Sequence, residues 1–196
     1  MTTGSPELSA PPIEVPVPSL PLSDGAVALR EWRLDDIACI EATTTDPKLA
    51  EGTTLPSEFT IADGEAFIRR QWTRVPNGEG LSLAITRSDR DEAVGSIVSM
   101  ARPQPGVCGV GYWVVPGARR SGFAGAAVRL LADWTIESGA FGRMEAWIRP
   151  DNEASQRAVA GAGFELEGVL RSFLPPGPHG ADRQDMQVWS RIRATR

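Results

Sequence analysis

The stretch richest in chemistry is Arg119-Arg120-Ser121-Gly122-Phe123-Ala124-Gly125, which follows a β-compatible run ending at Pro116. It leads straight into an amphipathic helix with Ala127, Leu130, Leu131 and Trp134 at i, i+3, i+4 and i+7. Small residues at a helix entrance let a ligand approach the backbone closely. The first N–H groups of the helix have no intrahelical acceptor and carry partial positive charge. With Arg119 and Arg120 beside them, they form an anion site suited to a pyrophosphate. A plain strand-to-helix turn with solvated arginines is the alternative that the residues alone leave open. A second polar pair, Asn152 and Ser155, stands three residues apart at the start of a later helix, on one side of it. Read alone, Asn152 is a helix N-cap and Ser155 a hydroxyl bonded to its own backbone.

Other chemistries lack their residues. The chain has one lysine, Lys48, in Asp-Pro-Lys-Leu, so a Walker loop is absent. The other basic residues are arginine, which reads as coding bias. One histidine, His179, and two cysteines, Cys39 and Cys108, exclude a His-rich metal cluster and a disulfide framework. No Gly-x-Ser-x-Gly turn accompanies His179, which reads as a solvated loop residue rather than a hydrolase base. Gly109-x-Gly111 precedes a strand end instead of a helix, and Gly161-x-Gly163 follows a helix, so neither is a dinucleotide fingerprint.

The elements that must position these residues follow from length and punctuation. With 196 residues, 41% hydrophobic and 23% charged, the chain fits one soluble domain plus a tail. The net charge of −5 argues against a nucleic-acid binder. No apolar run reaches the ~18 residues of a membrane span, and no signal peptide is read at the start. With reduced cysteines this places the protein in the cytoplasm. Residues 1–22 are Pro-rich and read as a disordered tail, and residues 23–196 as a single domain. Strands are expected at 27–32, 81–86, 93–101, 107–115, 144–148, 164–172 and 186–192, and helices at 34–43, 60–75, 122–138 and 152–162. Ile61, Phe67, Ile68 and Trp72 make the apolar set of the second helix. This order implies an α/β (α+β) layer fold, with about four helices flanking a mixed, mostly antiparallel sheet of about seven strands. The strand–helix–strand unit around residues 107–148 should be a parallel crossover.

Arg119, Gly122 and Ala124 fill the Arg/Gln-x-x-Gly-x-Gly/Ala pattern of the GCN5-related N-acetyltransferases (GNAT), which the chain resembles from residue 25 to 192. The flanking Gly111-Tyr112-Trp113-Val114, Asp151-Asn152, Ser155-Gln156-Arg157 and Gly163-Phe164 through Arg171 look like its RimJ/RimL branch, which acetylates N-termini of ribosomal proteins. The resemblance implies a GNAT fold and an acetyl-CoA-dependent N-acetyltransferase, without metal, acting on a primary amine. Whether it works as a monomer or a homodimer is left open. In this family the main chain of Trp113, Val114 and Val115 would hold the pantetheine arm, and the amides of Arg119, Arg120, Ser121, Gly122, Phe123, Ala124 and Gly125 the pyrophosphate. Asn152 would bond the arm, and Ser155 would lie by the sulfur.

Two departures stand out. The tyrosine acid of many members falls at Val159, so Ser155 is the expected acid. The usual strand glutamate falls at Gly109, so Glu167 is the expected base and Glu145 the second candidate. An α-amine needs less help than a lysine to lose its proton, having a pKa near 8 against roughly 10.4. Loss of the base therefore favours an α-amine acceptor on a protein, peptide or small molecule. The missing groups equally leave a non-catalytic acyl-CoA sensor or scaffold as the alternative reading.

Overall fold

The computed structural model describes residues 15–47, 49, 59–139, 141–176 and 182–193. Eight strands form one sheet: β1 Leu22–Ser23, β2 Val27–Arg30, β3 Leu81–Arg87, β4 Glu92–Ala101, β5 Val107–Val114, β6 Arg143–Ile148, β7 Glu165–Leu174 and β8 Gln184–Ile192. Their spatial order is β1-β2-β3-β4-β5-β6-β8-β7. Every neighbouring pair is antiparallel except β5 and β6, which are parallel as expected for a strand–helix–strand crossover. The helices are α1 Ile37–Glu41, flanked by short 3₁₀ turns, α2 Ile61–Trp72, α3 Phe123–Ser138 and α4 Glu153–Gly161.

Strand alternation divides the core between the two faces of the sheet. One face collects Leu29, Leu83, Ile85, Ile97, Met144, Ala146 and Ile148 under α3 and α4, including Ala127, Val128, Leu131 and Val159. The other collects Trp32, Cys39, Ile40, Phe67, Ile68 and Ala84 with α1 and α2, and Trp113 packs against it. In α2, Thr60 and Asp63 complete a capping box, as the Thr60 cap implied. Its buried stripe is Gly64, Phe67, Ile68 and Gln71, while Ile61 and Trp72 are exposed. Ile61 faces outward because it sits in the first turn, before the helix meets the sheet. Two positive-φ glycines bound α3, Gly122 at its entrance and Gly139 at its exit.

The last part of the Pro-rich segment expected to be disordered is folded. Val15, Leu20 and Leu22 pack on the main core, and β1 pairs with β2, so the ordered chain begins before residue 23 and the sheet gains an eighth strand. Residues 1–14 lie outside the described residues, as does His179.

The start of α1 is fastened by a buried ion pair. Arg30 donates to both Asp36 oxygens at 2.8 Å, and the two side chains are 8% and 5% exposed. Asp36 also accepts from the Arg33 N–H, and Arg30 reaches Asp91 in the β3–β4 turn. Removing Asp36 takes two charge-assisted bonds from a buried guanidinium and leaves it Asp91 as its carboxylate partner. Asp36→Ala is expected to cost about 3 kcal/mol or more, seen as a lower urea midpoint at constant slope. Asp89→Ala, which breaks an exposed pair with Arg87, should leave the urea midpoint unchanged.

Candidate functional site

The site begins where the sheet fails to close. β6 is register-paired with β8 over its whole length, Arg143 to Ile148. Its pairing with β5 stops after Val107–Arg143, Cys108–Met144 and Gly109–Glu145. Beyond Gly109 the two strands part, and β5 continues to Val114 held by β4 alone. The Val115 N–H donates to Val94, and the Trp113 carbonyl lies against Gly95, so the odd residues turn their main chain toward β4. By alternation, the main chain of Tyr112 and Val114 faces the gap. Of the three residues expected to hold a ligand arm, Val114 alone turns its main chain to the gap. Trp113 and Val115 are corrected to β4 partners, and the Trp113 ring packs on Trp32 on the far face.

Arg119 braces this strand end. Its Nε donates to the Val114 carbonyl at 3.2 Å and its Nη2 to Asp46 at 2.5 Å. The Val114 carbonyl is thereby occupied and its N–H left toward the gap. Two nitrogens of Arg119, expected to serve a ligand, are committed inside the protein instead. Arg120 is exposed and takes part in no ion pair among the described residues.

The loop then turns into α3 through two left-handed residues, Arg120 at φ 62° and Gly122 at φ 82°. Such alternation makes a concave row of N–H groups. The first helical bond is Ala126 N–H to Gly122 O, at 3.1 Å. Among the described residues, the N–H groups of Phe123, Ala124 and Gly125 donate to nothing, and no side chain caps the helix. Open space surrounds the place where a Gly122 Cβ would stand. These amides fit a diphosphate, and the gap beside them fits an extended amide-bearing arm.

α4 closes the other side. Asn152 Oδ1 accepts from the Ser155 N–H at 3.2 Å, so Asn152 is an N-cap whose amide NH₂ remains to donate. Tyr112, the only tyrosine, reaches across from β5 and donates its hydroxyl to the Ser155 carbonyl at 3.2 Å. Burial pushes its pKa up, which keeps it protonated at neutral pH. Motif spacing does not single out Tyr112; its alternation with Val114 toward the helical face is the signal that does. Val159, where a tyrosine acid would stand, is fully buried in the core.

The expected base is corrected. Glu167 on β7 takes a two-pronged pair from Arg143, at 2.7 and 2.5 Å, and a bond from Ser190 Oγ at 2.6 Å. Those donors hold its pKa down to about 2, Arg143 being the larger cause. A carboxylate so held takes up a proton poorly at neutral pH and instead ties β7 to β6 across β8. Glu145, the register partner of Gly109, accepts from Arg143 Nε at 2.7 Å and from Trp147 Nε1 at 3.0 Å. Burial raises the Cys108 thiol to about 12, so it is no nucleophile. No group of three or more His, Cys, Asp or Glu suited to a metal occurs among the described residues, and none of their helices is long and apolar enough to cross a membrane.

Residues 27–165 match the family model described as the acetyltransferase (GNAT) domain. The chain is 32% identical over 96 residues to the uncharacterized N-acetyltransferase YoaA of Bacillus subtilis (strain 168), covering 48% of this chain but only 54% of YoaA. It is 24% identical over 148 residues to the uncharacterized N-acetyltransferase p20 of Bacillus licheniformis, covering 75% of this chain and 83% of that one. Among solved structures, Mycobacterium smegmatis RimJ in complex with CoA-disulfide superposes with a TM-score of 0.70 at 22% identity, covering 85% of this chain and 81% of that one.

Because the lowered pKa of Glu167 favours folding, its contribution is full above about pH 4.5 and fades as pH falls toward 2. Glu167→Gln should flatten the acid limb of a melting-temperature-against-pH curve while acetyl transfer stays within about twofold. A loss of transfer beyond tenfold with the fold intact would restore Glu167 as the base.

Proposed function

The chain belongs to the acetyltransferase (GNAT) family, and on that footing we propose that it moves an acetyl group from acetyl-CoA to the primary amine of a protein, peptide or small molecule, favouring an α-amine. The observation that carries this reading is the uncapped entrance of α3 beside the parted strands. It offers three free main-chain N–H groups to a diphosphate and an open strand edge to an arm. Acetyl-CoA supplies a thioester already activated for transfer.

The residues of the chain have four tasks. Phe123, Ala124 and Gly125 hold the pyrophosphate through their amides, with Arg120 as the neighbouring cation. The Val114 N–H, kept in place by the Arg119 brace, is the donor for negative charge developing on the acyl oxygen. The Asn152 amide NH₂ bonds the arm. Ser155 and Tyr112 are the two hydroxyls beside the place where the thiolate must gain a proton. Much of the acceleration then comes from alignment of the two reactants.

The amine must shed its own proton with little aid, because Glu167 is tied up and position 109 is glycine. At pH 7 about a tenth of an α-amine is neutral, against roughly one part in 2,500 of a lysine side chain. That difference favours an α-amine of any source, a ribosomal-protein N-terminus as in the RimJ/RimL branch included. The same missing base keeps the second reading in view, an acyl-CoA sensor without turnover. Both readings predict CoA binding; only the enzyme releases thiol when an amine is added. Action in the cytoplasm, as a monomer or homodimer, completes the proposal.

A thiol-release assay with acetyl-CoA over N-terminal peptides, polyamines and aminoglycosides separates these. Turnover with an α-amine peptide should rise about tenfold per pH unit below pH 7 and level off near pH 8. A preference for lysine side chains would contradict the acceptor assignment. Ser155→Ala and Tyr112→Phe divide the acid role: whichever is the acid should lower kcat about 10²-fold with the KM for acetyl-CoA unchanged. Gly122→Val, which forces a branched residue into a left-handed turn, should weaken CoA binding at least tenfold by calorimetry. Unchanged affinity in that variant would remove the pyrophosphate site.

A further inference from the structure

On the face of the sheet opposite α3 and α4, two glycines leave a bay. Gly109 and Gly111 form its floor on β5. Val98 and Met100 of β4 stand on one side, with Val98 Cγ2 3.3 Å from where a Gly111 Cβ would be. Trp147 and Glu145 of β6 lie on the other. The bay adjoins the point at which β5 and β6 cease to pair.

Arg102, just past the end of β4, lies across this floor. Its Nε, Nη2 and Cζ sit 2.7, 2.8 and 2.9 Å from where a Cβ on Gly109 would stand. A side chain at 109, a glutamate included, would require the guanidinium to shift. The guanidinium stacks on Trp147 with Cζ 4.6 Å from the ring centre. Its Nε is buried and has no hydrogen-bond partner. No carboxylate lies within ion-pair distance of Arg102 among the described residues, whereas Arg30, Arg119, Arg143 and Arg191 each hold one. Glu145 and Glu167, on the same side of the sheet, are already paired, Glu145 with Arg143 and Trp147, Glu167 with Arg143 and Ser190.

A partly desolvated guanidinium with an unused donor is costly unless an acceptor meets it, and its fork matches a planar oxyanion. We infer that Arg102 is an anion-binding residue of the acceptor bay, and that the amine acceptor carries an oxyanion, a carboxylate or a phosphate, on the same molecule. The Trp147 ring, set edge-to-face against Phe173 at 4.9 Å, gives an apolar wall for the carbon skeleton between the two groups. Where relatives of this fold place a base, this chain places a cation that selects the substrate. The inference deepens the proposed acetyl transfer and rests on it for the word acceptor; the anion site itself does not need turnover.

The test pairs probes that differ only in charge: alanyl dipeptides with a free C-terminus against their C-terminal amides, and O-phosphoethanolamine against ethanolamine. Each is titrated calorimetrically into the CoA-bound protein and assayed for thiol release. The anionic member of at least one pair should bind and react about 10- to 100-fold better, the range expected of a charge-assisted bidentate contact. Which pair shows it distinguishes carboxylate from phosphate. Arg102→Gln should abolish the preference by lowering only the anionic member, and Arg102→Lys should restore part of it. A brace that merely supported Trp147 would instead lower both members of a pair alike. Equal behaviour of both members of both pairs, in binding and in turnover, overturns the inference. If CoA binds, the anionic probes bind through Arg102 and no thiol is released, the anion site stands and the transferase reading falls.

Discussion

Everything distinctive in this molecule depends on two neighbouring strands that stop pairing with each other part-way along. β6 gives its full pairing to β8 and shares three positions with β5. An open strand edge inside a sheet would ordinarily be a liability, because its main-chain donors and acceptors are unmet. Here the parting point coincides with the start of α3, whose first amides are also unmet. Two sets of unsatisfied backbone groups therefore border one opening. A ligand with a diphosphate at one end and amides along its arm satisfies both, which is why the same irregularity that weakens the sheet makes a binding site.

Side chains near the opening keep it in that state. Arg119 occupies the Val114 carbonyl, Tyr112 bridges to the first turn of α4, and Asn152 caps that turn. The charged residues behind the opening are largely self-neutralised. Arg143 gathers Glu145 and Glu167 and so binds three strands together, at the expense of both as bases. On the proposed reading, proton transfer is left to hydroxyls and to the amine itself, and position and main-chain polarity carry the chemistry.

Much of this was legible in the residues. The anion loop shows as Arg119-x-x-Gly122-x-Ala124 before an amphipathic run, and the helices start at Thr60 and Asn152 because each supplies its own cap. The alternation of β5 and β6 marks which side chains face α3. What the residues conceal is pairwise and distant. Glu167 reads as an acid free to act until Arg143, 24 residues away, is seen holding it. Arg119 reads as a ligand cation until Asp46 and the Val114 carbonyl claim it. The proline-rich leader looks unstructured because composition carries no record of Val15, Leu20 and Leu22 meeting the core. Arg102 had no local signal at all: its meaning comes from the absence of a side chain at Gly109 and from Trp147 on a strand reached after a helix.

The most direct measure of the central claim is amide hydrogen exchange, residue by residue, with and without CoA. The account predicts that the amides of Phe123, Ala124 and Gly125, together with Val114, exchange rapidly in the free protein and become strongly protected when CoA is added, while the Val115 amide, already bonded to β4, changes little. CoA binding that left those four amides exchanging as before would contradict the account, because the coenzyme would then be held somewhere other than the mouth of α3 and the parted strands.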